Sequence, residues 1–81
     1  MGSEPAPDIE VDCRGMRCPM PVVELARAVT GLEVGQVVAL VADDPAAGPD
    51  VQAWCRMREH EYVGEDTADD GVPRFLVKRN S

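Results

Sequence analysis

The sequence predicts a two-layer α/β sandwich of order β-α-β-α-β-β, with a four-stranded mixed sheet and two helices on one of its faces. Three observations lead there. A chain of 81 residues has room for one small domain. Its apolar residues recur with period two in some segments and with helical spacing in two others. Each helical segment is apolar along one stripe only, which a sheet on one side satisfies. Trp, Tyr and Phe occur once each among 44% hydrophobic residues, so Val, Leu and Ala must supply most of the packing.

The elements follow in order. Met1 to Pro7 carries two prolines, Gly2, Ser3 and Glu4 and reads as a disordered tail, drawn here to residue 8. The single domain is expected over 9–80. Ile9 to Cys13 alternates apolar and polar, the pattern of a half-buried strand. Arg14-Gly15-Met16-Arg17 is a short connection. From Pro19, Val22, Leu25, Ala26 and Val29 fall at helical spacing, and Gly31 is a natural stop. Gln36 to Ala42 is apolar on both faces and reads as a central strand. Asp43 to Pro49 is a loop by composition. Asp50 is placed as N-cap of a second helix from Val51 to about Glu59, with Val51, Trp54, Cys55 and the stem of Arg58 inward. Glu61 to Glu65 is a short strand, Asp69 to Pro73 a turn, and Arg74 to Lys78 the last strand. The face of the sheet away from the helices must be solvated or covered by a partner.

The formal charge of −7 opposes direct binding to a nucleic-acid backbone. No apolar run reaches the ~20 residues of a membrane span. The absence of an export signal near Met1 points to the cytosol. Arg14 and Arg17 form a local positive patch suited to an acidic protein surface. Arg56 with Arg58, and Arg74 with Lys78 and Arg79, read as ordinary solvated charges.

Three cysteines, Cys13, Cys18 and Cys55, are an odd number and argue against a disulfide framework. The spacings and the single His60 do not suggest a metal site, and no cofactor is called for. Cys18 stands apart because Pro19 and Pro21 follow it. Proline suits the first turn of a helix, where N–H groups lack partners. Cys18 is therefore expected at the N-cap, where the helix dipole would lower its pKa and favour the thiolate. Arg14 and Arg17 would add to this. The alternative is a cysteine that merely packs.

These residues resemble a family. Asp12-Cys13-Arg14-Gly15-Met16-Arg17-Cys18-Pro19-Met20-Pro21 is similar to the N-terminal motif of the TusA/SirA-like sulfur carriers. The similarity runs on through Val41-Ala42-Asp43-Asp44-Pro45-Ala46, Trp54-Cys55 with Glu59-His60-Glu61, and Phe75-Leu76-Val77-Lys78-Arg79. It implies the β-α-β-α-β-β sandwich and makes Cys18 the residue that accepts sulfane sulfur as a persulfide, from a cysteine desulfurase or a rhodanese. The sulfur then passes to an acceptor protein, toward tRNA 2-thiouridine, molybdenum cofactor or another sulfur pathway. Ala46-Ala47-Gly48-Pro49 departs from the hydroxyl-rich stretch with an Arg found in tRNA-pathway members, which leaves partner identity open.

The remaining candidates read as structural. Cys13 and Cys55 suit packing as small hydrophobes. His60 reads as an exposed residue at a helix end, and Asp43 and Asp44 as a strand-end and loop-capping pair with some chance of lining a groove near Cys18. Two other functions compete with sulfur carriage: a non-catalytic interaction module, and a thiol-redox protein using Cys13 and Cys18. An exposed thiol on so small a domain suits a monomer that docks transiently.

Overall fold

The computed structural model describes residues 7–81. Its elements are β1 (Ile9–Asp12), α1 (Met20–Thr30), β2 (Val37–Val41), α2 (Ala47–Arg58), β3 (Glu61–Thr67) and β4 (Pro73–Lys78). The sheet order is β1-β2-β4-β3. β1 runs parallel to β2, and the other pairs are antiparallel, so the sheet is mixed. β2 lies in the middle, which explains why all five of its residues are buried.

Three boundaries differ from expectation. Of the tail expected over 1–8, residues 1–6 lie outside the described residues, but Asp8 is anchored. Its N–H donates to the Val37 carbonyl at 2.7 Å, and its carboxylate accepts from the Val37 N–H at 2.8 Å. The second helix starts at Ala47, not Val51, with Ala46 as N-cap and Asp50 inside the first turn. Small residues permit this: Ala47 is buried, and a Cβ on Gly48 would come within 3.3 Å of the Phe75 ring. Pro49 also fits, since first-turn N–H groups have no helical partner. Finally, β3 continues to Thr67 through an irregularity between Tyr62 and Gly64.

Both helices pack on one face. Leu25 and Val29 of α1, Val51, Trp54 and Cys55 of α2, and Val38, Leu40, Phe75 and Val77 of the sheet form one core. The opposite face solves the puzzle of β2. There Val37, Ala39 and Leu76 form a second buried cluster with Val63 against it. No layer of the described residues covers them. Instead, Arg74 of β4 donates to Asp66 of β3 at 2.8 Å and to Glu10 of β1 at 3.1 Å, so its side chain bridges the two edge strands. Long charged side chains thereby shield apolar surface with their stems. Arg74 is thus no free surface charge. Nor is Arg79, which donates to the Val29 and Leu32 carbonyls at the end of α1.

Candidate functional site around Cys18

The segment from Cys13 to Pro19 joins the end of β1 to the start of α1, and carboxylates from the end of β2 hold it. The Gly15 N–H donates to both Asp43 carboxylate oxygens, at 3.1 and 3.2 Å. Gly15 has φ +78°, a left-handed turn that glycine adopts without a Cβ clash. The Cys18 N–H donates to Asp44 Oδ2 at 2.7 Å, while Asp44 Oδ1 accepts from the Ala46 N–H at 3.0 Å. A single carboxylate therefore ties the cysteine loop to the entry of α2. Those two backbone bonds, with the charge of Arg17, hold the Asp44 carboxyl below the usual carboxylate range. The loop-capping role expected of Asp43 and Asp44 is observed, and what they cap is the Cys18 loop. A cavity of about 490 Å³ opens beside it, lined by Gly15, Arg17, Asp43, Asp44 and Pro45.

Cys18 is exposed, and its link to Pro19 is a cis peptide. Two expectations about it are corrected. It is not the N-cap: Pro19 holds that position, the helix begins at Met20, and no side chain caps it. Pro21 sits buried in the first turn, as proline can there. Nor is the thiol acidified. Its hydrogen bond to the Asp50 carboxylate, partial loss of solvent, and the negative charges of Asp50 and Asp44 all push its pKa up. A thiolate beside carboxylates is repelled, so the protonated form is favoured.

The arginines do not offset this. Arg14 donates to Asp70 through Nε at 2.9 Å and Nη2 at 3.2 Å, and its Nη1 lies 3.1 Å from Asp12. It pins the loop to the β3–β4 turn instead of facing the sulfur. Arg17 acts on Asp44. Of the four residues expected to support Cys18, only Pro19 joins it in lining a shared groove. That groove also holds Val22, Asp50, Ala53, Trp54 and Met57 and encloses about 290 Å³. Asp50 is the residue the sequence reading missed; read as an N-cap, it was assigned to its own backbone and not to a neighbouring loop.

The other two thiols differ sharply. Cys13 and Cys55 are buried, and burial is the main cause that pushes each up to about 11. All three cysteines are free. His60 is half-buried, not exposed. Its ring lies 5.3 Å from that of Trp54, and Nδ1 accepts from the Asn80 N–H at 3.2 Å. Burial, with Arg79 and Arg58 nearby, pushes its pKa down. Among the described residues, no group of three or more His, Cys, Asp or Glu gathers to hold a metal ion.

Comparison with known proteins agrees with this architecture. The crystal structure of a SirA-like protein from Desulfitobacterium hafniense superposes with a TM-score of 0.76 at 24% identity. The match covers 90% of this chain and 99% of the other, and it establishes the fold. Residues 9–79 match the family described as Sulfurtransferase TusA. The same span contains the Cys18 loop, both helices and the whole sheet, and the chain belongs to the TusA sulfurtransferase family.

Proposed function

We propose that this protein is a sulfur carrier in which Cys18 holds sulfane sulfur as a persulfide and relays it between proteins, with residues 9–80 as the carrier domain. The observation that carries this reading is the contrast among thiols within a sulfurtransferase family member: Cys18 alone is exposed, while Cys13 and Cys55 are buried. Exchange at sulfur requires access as well as thiolate character.

In the receiving step, Cys18 attacks the outer sulfur of a donor persulfide. A new S–S bond forms at Cys18, the donor's S–S bond breaks, and the electron pair leaves with the donor thiolate. The proton lost by Cys18 ends on that thiolate. In the delivering step an acceptor thiolate attacks the outer sulfur, and Cys18 is released. No net oxidation occurs. The donor is a cysteine desulfurase or a rhodanese, and the acceptor another protein of a tRNA-thiolation, molybdenum-cofactor or related pathway. The protein acts as a monomeric carrier in the reducing cytosol, where free thiols persist, and Arg17 and Pro19 frame the loop that partners approach.

Mass spectrometry after incubation with a cysteine desulfurase and cysteine, and separately with a rhodanese and thiosulfate, tests this. The expected result is a gain of about 32 Da, one sulfur atom, on the wild type and none on Cys18→Ser. No gain on the wild type, or an unchanged gain on Cys18→Ser, would overturn the proposal.

A further inference from the structure

The groove beside Cys18 does not end at Met57. Trp54 forms part of its wall and also part of a second cavity of about 280 Å³, whose lining includes Ala26, Thr30, Arg58, His60 and Arg79. Residues four apart on a helix stand in one row. Val22, Ala26 and Thr30 form such a row on α1, and Asp50, Trp54 and Arg58 form one on α2. The two cavities are therefore stretches of one inter-helix groove. It starts at Cys18, passes an apolar middle, and ends at a cationic cluster.

Its two ends carry opposite fields, and two titratable groups register them. At one end hydrogen bonding to Asp50 leads in pushing Cys18 up, with the charges of Asp50 and Asp44 adding to it; at the other burial leads in pushing His60 down, with the charges of Arg79 and Arg58 adding to it. The middle is apolar, with Trp54, 7% exposed, as its floor and Met57, 74% exposed, at its rim. Arg58 is exposed and enters none of the ion pairs among the described residues. Arg79 donates through Nε and Nη1 to the Ser81, Val29 and Leu32 carbonyls, which leaves its Nη2 without a partner among the described residues.

We propose that this groove seats an extended, cysteine-bearing segment of a partner protein in one orientation, its thiol at Cys18 and a carboxylate side chain at Arg58 and Arg79. This rests on the sulfur-carrier reading and adds to it the kind of segment that docks. The spacing follows from geometry. Asp50 to Arg58 spans about 12 Å along a helix, which an extended chain covers in about four residues. The segment then has cysteine and Asp or Glu about four positions apart, with an apolar side chain between them over Trp54 and Met57. The net charge of −7 would by itself favour cationic peptides. A preference for a carboxylate must therefore come from the local cluster.

Disulfide exchange at Cys18 tests this, because tethering raises effective concentration and makes weak seating measurable. The probes are pentapeptides of cysteine, glycine, leucine, glycine and glutamate, made in both chain directions, with lysine-for-glutamate counterparts, each supplied as its mixed disulfide with 2-mercaptoethanol, which leaves as a thiol when Cys18 attacks the peptide sulfur. In one direction, capture of the glutamate peptide should exceed that of its lysine counterpart about tenfold at low salt, and Arg58→Glu should abolish the preference. Equal capture in both directions, or a preference that survives Arg58→Glu, overturns the proposal. Persulfide loading of the same samples separates the two ideas. Loading without the preference removes the groove alone, and the preference without loading removes the carrier reading alone.

Discussion

Cys18 and the buried pair Cys13 and Cys55 all have thiols with raised pKa, but the causes differ. For the buried pair burial leads; for Cys18 the hydrogen bond to Asp50 leads, backed by carboxylate charge. Burial is as permanent as the fold and also blocks access. A neighbouring carboxylate leaves the sulfur open and can be neutralised by whatever docks against it. Cys18 is thus protonated at rest while still accessible, a state that suits a carrier meeting many small thiols and few proper partners.

Three experiments would break or sharpen that contrast. The largest effect should be on access: alkylation of native protein should label Cys18 at least about a thousandfold faster than Cys13 or Cys55, which react only on opening of the core. Quantitative labelling followed by peptide mapping reads this out, and comparable rates at the three sites would refute it. Next comes charge. Asp50→Asn removes both the negative charge and its repulsion of the thiolate, so the Cys18 pKa should fall and alkylation near pH 7 should rise several-fold. A rate that stays level or drops would show that Asp50 does not govern the thiol. The gentlest effect concerns stability at high pH. Cys13 and Cys55 are raised from 9.0 to about 11 in the fold, so above pH 9.0 the unfolded chain loses protons that the folded chain keeps. Their contribution is complete below the unfolded value and is lost as pH rises through about 11. Urea unfolding between pH 8 and 11 should show this decline, and Cys55→Ala should make it shallower.

Much of the architecture was legible because local pattern and burial coincide. Alternation in Ile9 to Asp12 and helical spacing in Val22 to Val29 each fix a face, and the faces leave few packings. The start of α2 was not legible: Gly48 and Pro49 carry loop propensity, while the contacts that seat the turn, Ala47 in the core and the Asp44 carboxylate on the Ala46 N–H, arise only in the fold. Cys18 was identified from the prolines that follow it. Its electrostatics were read wrongly, because sequence adjacency put Arg14 and Arg17 beside it while the fold turns Arg14 to Asp70. Asp50, distant in sequence, takes the place next to the thiol. Charge around a site is a property of neighbours in space, and a sequence lists neighbours along the chain.

The irregularity in β3 between Tyr62 and Gly64 has a bearing on association. β3 and β1 are the outer strands, where an unpaired row of backbone groups invites another strand to add on. The irregularity breaks that row, and the carboxylates of Glu61 and Glu65 repel a second copy of the same edge. β1 is only four residues long. Strand addition, whether to a partner or toward a fibril, is thereby discouraged at both margins.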